Sequence, residues 1–247
     1  TEDNVSFTYK IGNAPGVEDA LNSASHVIKA TITNNRVNTN AMETRTSIGL
    51  YDQGEQKYTL YGGNQGPNRV REEIAHELLK VSEAKLQVIA PDVGGGFGMK
   101  GGAFGEDILV LWGAKATGRP VKWVGDRLES FMSDSHGRDV IADCEMAFDD
   151  DGKITGLRIS ADYNVGAYLS PNAGVSPMFF SILLSGVYAI PAIDVTTRCL
   201  FTNMGATAPY RGAGRPEAAY ILERLLDIAS RELDIDPIEI RRRNLVK

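Results

Sequence analysis

A chain of 247 residues is long enough to bury a sizeable core, as one large domain or as two smaller lobes. Its hydrophobic share of 43% is ordinary for a globular protein, and its formal net charge of −6 argues against nucleic acid and anionic membranes as partners. No apolar stretch is long enough for a transmembrane helix. Because the segment that opens at Thr1 is polar and unlike a signal peptide, we expect a cytoplasmic protein.

The few soft metal ligands of the sequence are scattered. Cys144 and Cys199 are the only cysteines, and two thiolates cannot hold an iron–sulfur cluster, which needs four. The two cysteines lack the spacing of a zinc site, and the three histidines lack the i, i+4 spacing of a helical metal site. We therefore expect both thiols to be buried apolar groups in a reducing cytosol, and no protein ligand set for a metal ion.

In the first half of the chain, strand and helix patterns alternate. Apolar spacing predicts a helix over residues 17–24, and β-favouring runs predict strands over 27–33, 58–61 and 86–90. Pro67 suits the first turn of a second helix. A third helical pattern begins at Ala103 and ends near Gly118 and Pro120.

After residue 126 this alternation stops. Residues 138–148 and 153–163 are extended runs on either side of Asp149-Asp150-Asp151-Gly152, and Asp-Gly between two strands is a strong hairpin signal. A long helix should begin at Pro216, and a short one should follow Asp236-Pro237. The pattern predicts an α+β fold with mixed sheets and flanking helices, as one domain over residues 1–247 or as two packed lobes.

The most distinctive segment follows the strand predicted at 86–90 and reads Asp92-Val93-Gly94-Gly95-Gly96-Phe97-Gly98-Met99-Lys100-Gly101. So many glycines cost backbone entropy, which is reasonable where main-chain N–H groups closely approach a polar or anionic ligand. Phe97 would add one aromatic wall. A tight turn without a ligand is the simplest alternative. A nucleotide phosphate loop is excluded, because Lys100 is followed by Gly101 and not by Ser or Thr.

A dinucleotide-binding loop is another interpretation. Residues 96–101 fit the G-x-G-x-x-G pattern, and Asp126 ends the next apolar run. This interpretation predicts an NAD-dependent dehydrogenase with a parallel sheet, and the hairpin pattern after residue 126 speaks against it.

Three ordered motifs indicate a different family. They are Gly63-Asn64-Gln65-Gly66-Pro67-Asn68-Arg69-Val70-Arg71, Ala90-Pro91-Asp92-Val93-Gly94-Gly95-Gly96-Phe97-Gly98 and Ala208-Pro209-Tyr210-Arg211-Gly212-Ala213-Gly214-Arg215-Pro216-Glu217. With these motifs the chain resembles the first molybdenum-binding domain of the large subunit of molybdenum hydroxylases. That family includes xanthine dehydrogenase, aldehyde oxidase and aerobic carbon monoxide dehydrogenase. The resemblance extends over nearly the whole chain and outweighs the dinucleotide interpretation.

The resemblance implies roles for individual residues. Gln65 would hydrogen-bond an oxygen on molybdenum, a main-chain N–H near Phe97 would bond the oxo group, and the Tyr210–Arg211 loop would approach metal and pterin. We therefore expect catalytic roles for Gln65, Phe97 and Arg211, and we take Arg138 as a candidate substrate contact. The expected cofactor-binding residues are Gln65, Gly95, Gly96, Phe97, Gly98, Tyr210, Arg211 and Gly212. The metal itself would be held by a pterin dithiolene and not by the protein.

The resemblance also implies cofactors and partners. The complete enzyme would carry a molybdenum–pterin cofactor in the form of molybdopterin cytosine dinucleotide, with 2Fe-2S clusters and FAD on partner subunits or domains. A second molybdopterin-binding domain and an N-terminal α/β domain, which family members have, are not recognisable in this chain. We therefore expect the isolated chain to be inactive and to carry no cofactor.

Two departures from the family pattern bear on the substrate. Gly212 stands where carbon monoxide dehydrogenase has its copper-holding cysteine, and Gly101 stands where xanthine dehydrogenases have a glutamate. We expect an aldehyde or an N-heteroaromatic substrate, oxidised with water as the oxygen source. A non-catalytic role as a cofactor-docking module is the remaining alternative.

Overall fold

The computed structural model describes residues 3–247, which divide into two compact units. The first unit comprises the chain up to Val37 and from Gly137 to Lys247, and the second comprises Asn38–His136. The second unit is therefore an insertion in the sequence of the first.

The helices and strands follow one another along the chain in this order. Before the insertion come β1 (Val5–Gly12), α1 (Ala14–Ser23) and β2 (His26–Asn34). The second unit contains β3 (Thr46–Asp52), β4 (Lys57–Gly62), α2 (Pro67–Glu72), β5 (Leu86–Ile89), α3 (Gly105–Thr117), β6 (Val121–Val124) and α4 (Arg127–Ser133). The first unit resumes with β7 (Val140–Phe148), β8 (Ile154–Gly166), α5 (Val175–Ile182), β9 (Ile193–Phe201), α6 (Arg215–Glu232) and α7 (Pro237–Asn244).

The first unit is built on a five-stranded sheet with the order β1-β9-β8-β7-β2. Only β8 and β9 run parallel; the other neighbours are antiparallel. Along β7, Val140, Ala142 and Cys144 are buried, whereas Ile141 and Asp143 are exposed, which is the period-2 pattern of a sheet with one covered face. The predicted hairpin is confirmed, because β7 and β8 pair in antiparallel register around the acidic turn.

The hydrophobic core of the first unit explains its two cysteines. Cys144 and Cys199 are free thiols buried in this core beside side chains of the sheet and of α6. Burial raises the pKa of each thiol to about 12, so both remain protonated at neutral pH. The expected placement of both thiols in the core is confirmed.

The second unit has a four-stranded sheet with the order β5-β4-β3-β6, in which only β4 and β5 are parallel. Carboxyl ends of parallel neighbours meet at the same edge, so the loops that follow β4 and β5 leave the sheet together. The antiparallel strand β3 begins at that edge, where Ser47 is opposite Gly62. We call this the loop edge: the segments before Thr46, after Gly62 and after Ile89.

This topology overturns the dinucleotide interpretation. The strand before the glycine loop is β5, and the next strand in sequence is β6. These are the two outermost strands of the sheet, and antiparallel β3 lies between them. A dinucleotide fold requires adjacent parallel strands on either side of the helix. Asp126, the expected ribose ligand, instead caps α4 by accepting a hydrogen bond of 2.7 Å from the Glu129 N–H.

Most predicted elements are present, and the expected α+β fold with mixed sheets is confirmed. The helix predicted at Pro67 is α2, which continues as a π-helical turn over Glu73–Leu79, and the helix predicted from Ala103 begins at Gly105. The sequence patterns did not predict β1, β3, β6, β9, α4 and α5. In the part of the chain that the structure describes, no helix is long and apolar enough to cross a membrane.

Packing of α3 on the sheet leads to a stability prediction. A Cβ atom on Gly49 in β3 would lie 2.5 Å from the main-chain carbonyl of Val110, so α3 rests directly on this glycine. We expect Gly49→Ala to lower the free energy of unfolding by roughly 1–3 kcal/mol through overpacking. Urea denaturation of the full chain measures the change.

The same helix offers a matched control. Apart from its chain neighbours and the backbone of its own helix, no atom lies within 4 Å of a Cβ placed on Gly105 at the start of α3, so Gly105→Ala should be neutral or slightly stabilising. Equal destabilisation by the two substitutions would contradict the packing argument.

Candidate cofactor-binding site

The loop after β4 presents an oriented side-chain amide. Gln65 is exposed, and its Oε1 accepts a hydrogen bond of 2.7 Å from the Gly98 main-chain N–H. The main-chain N–H of Gln65 donates to the Lys100 carbonyl at 2.9 Å. Because an N–H donor must face the amide oxygen, the Gln65 NH2 group is directed away from Gly98 as a donor.

The glycine loop packs against side chains of the same unit. A Cβ atom on Gly96 would lie 2.5 Å from Cδ of Gln65, and one on Gly94 would lie 2.4 Å from Cβ of Glu43. Gly95 and Gly98 adopt φ angles of +103° and +100°, which disfavour any other residue. The glycines therefore serve first to let Gln65 and Glu43 approach the backbone.

Phe97 is held at the tip of this loop in a left-handed conformation. Its φ is +50°, which is uncommon for a large residue, and its side chain is 44% exposed. The Met99 N–H donates to the Gly96 carbonyl at 2.9 Å and closes a tight turn around Phe97. The chain thus keeps an aromatic ring at the surface next to the Gln65 amide loop.

An ion pair that the sequence analysis missed supports the loop. The Lys100 side chain is 1% exposed, and its Nζ donates to Oε2 of Glu43 at 2.7 Å and to the Glu43 carbonyl at 3.0 Å. The Gly94 N–H also donates to Oε2 of Glu43, at 3.0 Å. Burial alone would raise the pKa of Glu43, but these hydrogen bonds and the Lys100 charge outweigh it and lower the pKa.

The segment that carries Glu43 is itself anchored. Arg127 donates to the carbonyls of Ala41 and Met42 at 2.7 and 2.9 Å and to Oδ1 of Asn40 at 2.9 Å. Residues 40–43 show no periodic pattern in the sequence. Their contact with the glycine loop is therefore evident only in the folded chain. A guanidinium that bonds three acceptors leaves this segment little freedom.

A second polar cluster lies behind the loop edge. Arg45 pairs with Asp134 at 2.8 Å and also bonds Glu106, while Asp107 accepts from the Ser47 hydroxyl. Burial raises the pKa of both the Glu106 and Asp107 carboxyls. Arg45, Ser47, Glu106, Asp107 and Lys100 contribute to the lining of a cavity of about 20 Å³, which is room for one water molecule and not for a cofactor.

The Tyr210–Arg211 loop belongs to the first unit and is held by Arg138. The Arg138 guanidinium donates to the carbonyls of Tyr210 at 3.2 Å and of Arg211 at 2.7 Å, and it pairs with Glu217 at 3.2 Å. Glu217 is fully buried and also accepts from the Tyr163 hydroxyl at 3.0 Å. The Arg211 side chain remains exposed.

The structure therefore brings one group of expected site residues together. Gln65 and the glycine-loop residues 95–98 share the loop edge of the second unit, whereas Tyr210, Arg211 and Gly212 form a loop of the first unit next to Arg138. Arg138 faces carbonyls and a carboxylate of its own chain, and its contact with substrate stays a prediction. Among residues 3–247, no group of three or more His, Cys, Asp or Glu side chains is arranged to hold a metal ion.

Comparisons with known proteins identify the family. Residues 1–245 match the model of the molybdopterin cofactor-binding domain. The chain is 32% identical over 230 residues to the 6-hydroxypseudooxynicotine dehydrogenase complex subunit gamma of Paenarthrobacter nicotinovorans, which covers 93% of this chain and 29% of that subunit.

Solved structures agree with this match. The fold is similar to reconstituted CO dehydrogenase from Oligotropha carboxidovorans, with a TM-score of 0.93, 30% identity and coverage of 99% of this chain and 31% of that one. It is also similar to quinoline 2-oxidoreductase from Pseudomonas putida 86, with a TM-score of 0.91, 32% identity and coverage of 99% and 31%.

The chain thus belongs to the molybdopterin cofactor-binding domain family, as the first such domain of molybdenum hydroxylase large subunits. It spans less than a third of the length of these relatives. The resemblance stated from the three motifs is confirmed.

The contact between Gly96 and Gln65 can be tested directly. We expect Gly96→Ala to displace the exposed Gln65 side chain and break its hydrogen bond from Gly98, because the added methyl would overlap Gln65 Cδ. The Gly98 amide should then exchange with solvent faster, as measured by NMR. An unchanged Gly98 resonance and exchange rate would show that a methyl group at position 96 does not displace the Gln65 side chain.

The buried ion pair of the first unit predicts a large stability effect. We expect Arg138→Ala to destabilise the chain by roughly 3–5 kcal/mol, because it leaves the fully buried Glu217 carboxylate without its cation. Chemical denaturation measures the loss. Arg198→Ala, which removes an exposed pair with Asp162, is the control and should cost less than about 1 kcal/mol. Similar costs for both would contradict this assignment.

Proposed function

We propose that this chain holds one side of a molybdenum–pterin cofactor at the loop edge of its second unit. The complete enzyme would be an oxidoreductase that hydroxylates an aldehyde or an N-heteroaromatic compound, with water as the oxygen source. The observation that carries the proposal is the hydrogen bond from the Gly98 N–H to Gln65 Oε1, which turns the Gln65 NH2 group outward as a donor. Family membership supports the choice of cofactor.

The donor set of the loop edge fits such a group. Gln65 offers a neutral amide, and the nearby carboxylate of Glu43 is balanced by Lys100. Neutral N–H donors suit a ligand whose outer atoms are oxygen acceptors, and the exposed Phe97 ring would shield such a ligand from water. When bound, the cofactor supplies the two-electron redox chemistry, while Gln65 and the loop provide orientation and hydrogen bonds.

Arg211 is the proposed contact for a charged part of the cofactor. Its backbone carbonyl is fixed by Arg138, while its own guanidinium is exposed and can form paired hydrogen bonds with phosphate oxygens. Tyr210 and Gly212 would line this contact. A pyrophosphate, as in molybdopterin cytosine dinucleotide, matches this chemistry.

The partners of the chain are proposed from its relatives. The nicotine-related relative is named as a subunit of a complex, and the chain spans 29% of that subunit. We infer a second molybdopterin-binding domain or subunit, together with subunits or domains that carry 2Fe-2S clusters and FAD. The quinoline enzyme among the relatives favours an N-heteroaromatic substrate.

A test of Gln65 separates its two hydrogen-bonding roles. Gln65→Glu keeps an oxygen that can accept from Gly98 but removes the outward donor, so turnover of the assembled enzyme should fall by on the order of 10–1000-fold. Molybdenum content should change little. Steady-state kinetics and elemental analysis measure the two quantities.

A matched substitution controls for the added charge. Gln53→Glu makes the same change at an exposed turn residue between β3 and β4, and its turnover should equal that of the wild type. Wild-type turnover of Gln65→Glu would contradict the proposed role of Gln65 and favour a cofactor-docking module without catalytic groups.

A further inference from the structure

We infer that Glu43 and Lys100 are positioning residues that maintain the hydrogen bond from the Gly98 N–H to Gln65 Oε1. This inference deepens the proposed function and rests on it for its catalytic meaning. Its structural content is independent: the two residues form a clamp beneath the glycine loop, and without the clamp the Gln65–Gly98 contact loosens.

Glu43 grips the loop at its first glycine from both its backbone and its side chain. The Glu43 N–H donates to the Gly94 carbonyl at 3.1 Å, and Oε2 of Glu43 accepts from the Gly94 N–H at 3.0 Å. Glycine at position 94 permits this approach, because a Cβ there would lie 2.4 Å from Glu43 Cβ. The loop therefore enters its turn with both main-chain groups of Gly94 already satisfied by one residue.

Lys100 grips the loop at its other end and links the clamp to Gln65. Its buried ammonium bonds both the carboxylate and the carbonyl of Glu43, while its own carbonyl accepts from the Gln65 N–H. A buried lysine charge is costly unless it is paired, so the position of Nζ is set by Glu43. The backbone of Gln65 is thus attached to the same residue that secures the carboxylate.

The hydrogen bonds of the clamp connect the two ends of the glycine loop through Gln65. Glu43 holds Gly94, Lys100 holds Glu43 and Gln65, and Gln65 accepts from Gly98. These linked hydrogen bonds restrict the backbone on both sides of the left-handed turn at Phe97.

Solvent exchange of single amides in the full chain tests the clamp. Glu43→Gln keeps the size of the side chain but weakens both charge-assisted bonds, so the Gly94 and Gly98 amides should exchange on the order of fivefold faster. Lys100→Met should have the same effect. Should Lys100→Met fail to fold, Glu43→Gln still decides the question.

The control is Glu83→Gln, which makes the same substitution in the ion pair with Arg71 of the same unit. It should leave both glycine amides unchanged, and urea denaturation of each variant separates loop loosening from global destabilisation. Unchanged exchange at Gly98 in Glu43→Gln would overturn the clamp.

The assembled enzyme supplies the functional arm. Glu43→Gln should lower kcat, and Glu43→Asp, which restores the carboxylate, should recover part of it. Faster Gly98 exchange combined with wild-type turnover in both Glu43→Gln and Gln65→Glu would sink the proposed function while leaving the clamp intact. Unchanged Gly98 exchange would sink the clamp, whatever the result for Gln65.

Discussion

The parallel pairing of β4 with β5 is the constraint on which the site depends. In the register that places Tyr61 opposite Ile89, both strands end at the same level, and the loops that follow them must meet. Gln65 and Gly98 are separated by 33 residues in sequence, and this register brings their loops to the same end of the sheet. An antiparallel pairing of the same two strands would have placed the loops at opposite ends of the sheet.

The glycines of the loop have a more specific explanation than general flexibility. Each of two positions, Gly94 and Gly96, lies where a methyl group would overlap a side chain of the same unit. Contacts with Glu43 and Gln65 therefore determine the conformation of the loop, independently of any ligand. This arrangement provides a preorganised edge, because the donors that a ligand would meet are already fixed by contacts within the chain.

Local signals explain which parts of the molecule could be predicted from the sequence. The hairpin of β7 and β8 was marked by Asp-Gly between two extended runs, and α6 by Pro216 before an apolar stripe. Strand β3 was missed because its two buried positions, Ser47 and Gly49, are not apolar residues. Glycine occupies position 49 because α3 packs directly on it. Glu43 was missed for a related reason: its partner Gly94 is 51 residues away, and no local pattern records such a contact.

The insertion between β2 and β7 has a consequence for how the chain folds. These strands are antiparallel neighbours, and a further bridge between Val37 and Gly137 closes their pairing, so they form a hairpin whose turn is an entire folded unit. Closing so long a loop from an unfolded chain is entropically expensive and slow. Once the inserted unit has collapsed, its two ends are tethered over a much shorter effective distance. We therefore expect the inserted unit to fold before β2 pairs with β7, so that a destabilising substitution in its core would delay formation of a sheet to which it contributes no strand.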